Sequence, residues 1–142
     1  ISKASRKLIN KAELICYPPG SYYSSLIANL LPAGVATEIA SNSCAKVYIP
    51  NIGIDPEQLG MTLDSSILIL LDYLQSKAPH HSNRDFLNFI LYDSKRAQYN
   101  SKLSTKLMKE KGIQVIDTKL ISKSSFPYYD EKLLVSALLS LT

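Results

Sequence analysis

Cysteine is scarce in this chain: Cys16 and Cys44 are the only two in 142 residues. Each sits in or beside an apolar, strand-like run, the setting of a small core residue rather than of a disulfide framework. With no secretory leader at the front, this usage predicts a reducing cytoplasm. No apolar run approaches the roughly 18 residues of a membrane span. The longest candidate, Ile67–Leu71, is followed by Asp72, so a soluble chain with no membrane partner is expected. Cysteine and histidine never stand at zinc spacing, and no metal ligand is nominated. His80 and His81 lie ahead of an apolar run, at the amino end of a strand and away from the ligand-binding edge of an open sheet. Also missing are a Gly-x-Ser-x-Gly elbow, a P-loop, a GxGxxG fingerprint, an internal repeat and any low-complexity stretch.

A dense basic stripe is missing too. The net charge is +4, and cations such as Lys3, Arg6, Lys7, Lys11, Lys46, Lys95 and Arg96 are scattered rather than gathered. Nucleic-acid binding would call for clustering with interleaved aromatics, so no nucleic-acid partner is expected. Hydrophobic residues at 46% against 20% charged supply enough apolar material for one folded domain.

What is present is an alternation of helical and strand patterns. Ser2–Lys11 reads as a helix with Leu8 and Ile9 on its buried side. Leu14-Ile15-Cys16-Tyr17 is a short continuous apolar run of the kind buried on both faces in a parallel sheet, stopped by Pro18-Pro19-Gly20. A helix is expected from Ser24 to Pro32, and a second around Val35, Ile39 and Ala40. Strand two is Lys46–Ile49. The longest helix, Thr62–Lys77, has Thr62 as N-cap and buries Leu63, Ile67, Leu70, Leu71 and Leu74. Phe86–Tyr92 reads as strand three, Ser101–Lys111 as a helix closed by Gly112, and Ile113–Ile116 as strand four, ended by Asp117. A last helix starts after its cap Asp130 and buries Leu133, Leu134, Ala137, Leu138 and Leu141. Strands separated by helices predict an α/β fold: a doubly wound, mostly parallel, Rossmann-like sheet of about four strands with helices on both faces.

Such sheets bind ligands beyond the carboxyl ends of their strands, which confines the search to four loops: 18–25, 50–60, 93–99 and 117–125. In the first, Gly20 permits close backbone approach, while Ser21, Ser24 and Ser25 offer hydroxyls at a helix N-terminus whose free N–H groups favour phosphate. Tyr22 or Tyr23 could cover a ring. The bland alternative is that Ser24 caps the helix and the tyrosines pack on it. In the second loop Asp55 and Glu57 could meet a phosphate-bound metal or simply serve solubility. In the third, Lys95 and Arg96 could pair with a phosphate or remain solvated. Asp117 could orient a hydroxyl or end its strand.

The stretch from Ala12 to Leu31, with Tyr17-Pro18-Pro19-Gly20-Ser21-Tyr22-Tyr23-Ser24-Ser25 and Ala28-Asn29-Leu30-Leu31, resembles the signature of the CofD-like family. There a strand ends in Gly-Pro-Gly-Ser-Leu-Tyr-Thr-Ser and leads to Pro-Asn-Leu-Leu. Lys46-Val47-Tyr48-Ile49-Pro50-Asn51 is similar to the family's Lys-Val-Tyr-Val-x-Asn. Gly112–Thr118 resembles the branch associated with an ATP-grasp protein and an HPr-kinase-like protein. The resemblance implies Gly20, Ser21, Tyr23, Ser24, Ser25, Asn29 and Asn51 as ligand-facing. It implies one of two functions for a phosphate-bearing small molecule. One is transfer of a phospholactyl group from a guanylylated donor to a deazaflavin hydroxyl, with magnesium. The other is non-catalytic binding of a nucleotide sugar in the regulation of carbon use and cell-wall growth. Pro18 departs from the family glycine, and the family's opening strand and Gly-rich turn are not in this sequence. Residues 1–142 therefore read as one α/β domain, the C-terminal portion of a longer CofD-like protein, with apolar faces that predict a homo-oligomeric contact.

Overall fold

The computed structural model describes residues 1–142. Its elements are α1 Lys3–Lys11, β1 Leu14–Tyr17, a π-helical segment Tyr22–Ile27 running into α2 Ala28–Leu30, and α3 Val35–Ser41. They continue with β2 Ala45–Tyr48, a 3-10 turn Pro56–Gln58, α4 Leu63–Lys77 and α5 Asn83–Phe86, then β3 Phe89–Tyr92, α6 Thr105–Glu110, β4 Gln114–Asp117 and α7 Glu131–Leu139. The four strands form one sheet in the order β1-β2-β3-β4, and every neighbouring pair is parallel. The expected α/β sheet is what the chain builds, with no reversal of order within these strands.

Alternation along each strand divides the residues between two cores. Tyr17, Tyr48, Ile90 and Tyr92 join α3, α4 and α6 in a cluster of 23 buried residues. Their strand neighbours Val47, Ile49 and Leu91 face the other way, where Leu134, Ala137, Leu138 and Leu141 of the C-terminal segment cover them. Helices therefore lie on both faces, the crossovers on one and α7 on the other. The five apolar positions named for the long helix, Leu63, Ile67, Leu70, Leu71 and Leu74, are all buried. Thr62 caps it in a reciprocal box with Ser65, a contact worth about 1 kcal/mol.

Several boundaries differ from the sequence reading, each for a local reason. Phe86 and Leu87 are not strand residues: Ser82 and Asp85 form a capping box that winds Asn83–Phe86 into a helical turn, so β3 begins at Phe89. The helix expected from Ser101 starts only at Thr105. Ser101 Oγ instead accepts from Leu63 N–H at 2.7 Å, and Ser104 N–H donates to Asp64, so this segment is spent tying α6 to α4. Leu8 is 74% exposed, and Ile9 alone of the predicted pair packs against the core. Cys16 and Cys44 are free and only half-buried. No residue of α7 is fully buried. Gly112 closes α6 at φ 80°, a left-handed conformation that an L side chain rarely adopts, and a Cβ there would also press on the Arg84 side chain.

Asp93, at the carboxyl end of β3, is the principal tie beyond the sheet. Its side chain is 1% exposed. Oδ2 accepts from Leu120 N–H at 2.9 Å and Ile121 N–H at 3.2 Å; Oδ1 accepts from Arg96 N–H at 3.1 Å. One carboxylate thus fixes the loops that follow β3 and β4. Replacing Asp93 by alanine orphans buried amides and leaves a void. The variant should lose roughly 3 kcal/mol of stability in urea unfolding, whereas Thr62→Ala should lose only about 1 kcal/mol. Equal losses would show that Asp93 is an ordinary surface carboxylate.

Candidate functional site

All four searched loops gather at the carboxyl edge of the sheet, because parallel pairing gives the strands one common direction. The first two are laced together. Gly20 N–H donates to Asn51 Oδ1 at 2.7 Å, and Asn51 Nδ2 donates back to Gly20 O at 2.8 Å. The same Nδ2 reaches Gln58 Oε1 at 2.8 Å, and Gln58 Nε2 donates to Ser66 Oγ at 2.9 Å. Gln58 is buried, so this chain of bonds anchors the loop after β1 to the start of α4. Asn51 thus holds the two loops together, and Gln58 has a part that the sequence pattern did not single out.

The helix that follows β1 begins at Tyr22, two residues earlier than expected, and Ser24 is not its cap. Ser21 makes no side-chain capping bond. Carboxylates from the second loop take that place. Asp55 Oδ2 accepts from Tyr22 N–H at 2.9 Å, while Glu57 Oε2 accepts from Tyr23 N–H at 2.7 Å and Ser24 N–H at 3.0 Å. The helix end expected to take a phosphate holds two carboxylates of the protein itself. Ser24 and the neighbouring amides hold Glu57 below its ordinary pKa, since each bond favours the charged form.

Of the other predicted residues, Ser21, Ser24, Ser25 and Tyr23 are exposed at the edge. Tyr22 is a correction: its ring is buried and its hydroxyl donates to Ser66 O at 2.5 Å, so it cannot cover a ligand. It meets Tyr23 edge-on with centroids 4.9 Å apart. Asn29 Nδ2 donates to Ser25 O, one turn back on its own helix. Asp117 takes both the backbone N–H and the hydroxyl of Ser94, at 3.0 and 2.5 Å, so it ties loops rather than standing free. Lys95 and Arg96 are exposed, and Arg96 makes one loose contact with Asp93 at 3.4 Å.

Beside Arg96 lies a cavity of about 500 Å³ lined by Lys119, Ile121, Ser122, Lys123 and Phe126. Lys119, Lys123 and Phe126 escaped the sequence reading; the available signal was their place in the fourth loop, directly after β4. His81 stands 3.6 Å from Asp85, in the loop that leads from α4 back to β3. No three acidic, histidine or cysteine side chains converge anywhere in the chain.

Glu57 has a depressed folded-state pKa, so its contribution to the latch is present above the unfolded value of about 4.3. It is lost as pH falls through the folded value. The Tyr23 and Ser24 amide resonances should therefore titrate together below the usual glutamate range and lose that transition in Glu57→Gln. Titration at an ordinary glutamate pKa would show that the latch is not populated in solution.

Residues 1–134 match the family described as 2-phospho-L-lactate transferase CofD. The gluconeogenesis factor of Halalkalibacterium halodurans is 35% identical over 66 residues, 46% of this chain and 20% of that protein. A Thermoanaerobacterium thermosulfurigenes protein, provisionally given the same name, is 28% identical over 138 residues, 94% of this chain and 43% of its own length. A crystal structure of a Bacillus halodurans protein superposes with a TM-score of 0.77 at 21% identity, covering 97% of this chain and 46% of the other; that protein is described as a member of the UPF0052 family. The chain thus spans less than half the length of the relatives it matches. No helix is long and apolar enough to cross a membrane. The motif around Gly20 and Asn51, the parallel sheet and the match over residues 1–134 agree, and the chain belongs to the CofD family.

Proposed function

We propose that this chain forms one wall of a crevice that binds a phosphate-bearing nucleotide conjugate, a guanine nucleotide conjugate or a nucleotide sugar, at the carboxyl edge of its sheet. The observation that carries this reading is the set of three consecutive N–H groups at Tyr22, Tyr23 and Ser24. They open onto that edge and already hold carboxylate oxygens at 2.7 to 3.0 Å. Oxyanions are thus stabilised at this edge, here the protein's own carboxylates. Exposed hydroxyls of Ser21, Ser24 and Ser25 and the ring of Tyr23 border the same place.

Two fates of the bound conjugate are supported by different observations. The family description favours transfer of a phosphoryl-linked group to an acceptor hydroxyl, in which this chain's part is positioning and charge stabilisation. The relatives' shared name, gluconeogenesis factor, favours binding that reports a metabolite level without turnover. The chain's own residues contribute an oxyanion-stabilising edge in either case.

A thermal-shift panel of GDP, GTP and UDP-sugars, with and without magnesium, separates these readings. A ligand at about 100 times its dissociation constant adds about 2.7 kcal/mol of stability. A magnesium-dependent guanine-nucleotide shift supports transfer, and a UDP-sugar shift supports sensing. Unchanged melting with every compound would refute nucleotide binding by this chain.

A further inference from the structure

We infer that the cavity between the loops after β3 and β4 is an anion seat, and that it takes the phosphate or pyrophosphate of the bound conjugate. This rests on the reading above but moves the phosphate away from the Gly20–Ser25 loop. There the amides are already occupied by Asp55 and Glu57, and a ligand phosphate would have to displace two carboxylates at close quarters. At the other end of the same edge a cavity has a cationic lining.

Three of the six residues lining the cavity are cations, Arg96, Lys119 and Lys123, and none is acidic. Lys119 and Lys123 have no carboxylate within ion-pair distance, and Arg96 has only the 3.4 Å contact with Asp93. The acidic groups nearest in sequence are engaged elsewhere: Asp117 takes the backbone N–H and hydroxyl of Ser94, and Asp130 caps α7, where Oδ1 accepts from Lys132 and Leu133 N–H at 3.0 and 3.1 Å. Three like charges converging on one cavity repel one another, and an anion relieves that repulsion.

The seat is held in shape before any ligand arrives. Asp93 fixes the backbone at Leu120 and Ile121, and Ile121 is buried as the floor. Ser122 and Ser125 exchange backbone-to-hydroxyl bonds at 2.9 and 3.2 Å, closing the turn that carries Lys123. Phe126, 56% exposed, leaves a ring face open on the wall. A volume of about 500 Å³ suits a pyrophosphate with part of a nucleoside, since small-molecule sites run from about 300 to 1,000 Å³. The strand spacing of about 4.8 Å puts this seat about 12 Å along the edge from the end of β1, which the Gly20–Ser25 loop follows, a span that one conjugate can bridge.

The test is calorimetric titration of the protein with inorganic pyrophosphate and, separately, with GDP and a UDP-sugar. Lys119→Ala/Lys123→Ala is compared with Lys7→Ala/Lys11→Ala, which removes the same charge from α1. All four lysines are exposed, and circular dichroism verifies that each variant is folded. The wild type should bind pyrophosphate and a nucleotide, the first variant should weaken both by about tenfold or more, and the second should leave both unchanged. Phe126→Leu should weaken the nucleotide but not pyrophosphate. Equal affinities in the wild type and Lys119→Ala/Lys123→Ala would overturn the seat while leaving nucleotide binding intact. Lysine-dependent pyrophosphate binding without any nucleotide binding would keep the seat and refute the conjugate reading. Binding of none of the probes would refute both.

Discussion

All three strand pairings are parallel, so the chain must return from the carboxyl end of each strand to the amino end of the next before it can pair again. A tight hairpin cannot make that journey. The returns are made by α3, by α4 with α5, and by α6, each needing an apolar face against the sheet. Every loop that leaves a strand is left on one edge as a consequence. The first core, the crevice and the separation of His81 from it all follow from this single geometric requirement.

Holding four such loops in register is an electrostatic problem as much as a packing one. Loops at a sheet edge expose N–H groups that the ladder cannot satisfy. This chain satisfies them with side-chain oxygens drawn from neighbouring loops. Asn51 binds the loop after β1, Asp55 and Glu57 bind the start of the following helix, Asp93 binds the loop after β4, and Asp117 binds the loop after β3. Tyr129 adds a longer link, donating to Pro50 O at 2.7 Å, with its buried hydroxyl pushed far above its usual pKa by desolvation. Asp93 and Asp117 are spent on donors of the loops after β3 and β4, and Lys119 and Lys123 beside them have no carboxylate partner.

The relatives share a fold with this chain at about 21% identity, which leaves most side chains free to differ. Pro18, where the family signature resembled has a glycine, takes no part in the Asn51 clamp, which engages Gly20. The neighbouring backbone N–H groups at Tyr22, Tyr23 and Ser24 still point to the edge.

The amino-acid sequence by itself determined the order of strands and crossovers, the buried stripe of the long helix, the caps at Thr62 and Asp130 and the glycine that ends α6. These are set by periodicity and by local hydrogen bonding, both written within a few residues of each other. It also marked the edge where the loops meet, since parallel strands have only one carboxyl side. Tertiary structure alone decided what each loop residue does there. Tyr22 turned inward because Ser66, 44 positions away, offered a buried acceptor. Glu57 became a helix cap because folding brought it to amides 33 and 34 residues distant. Lys119 and Lys123 gained significance only when the β3 loop delivered Arg96 to the same cavity. Contacts between residues so far apart leave no periodic trace in the chain, because nothing local constrains them until the sheet has assembled.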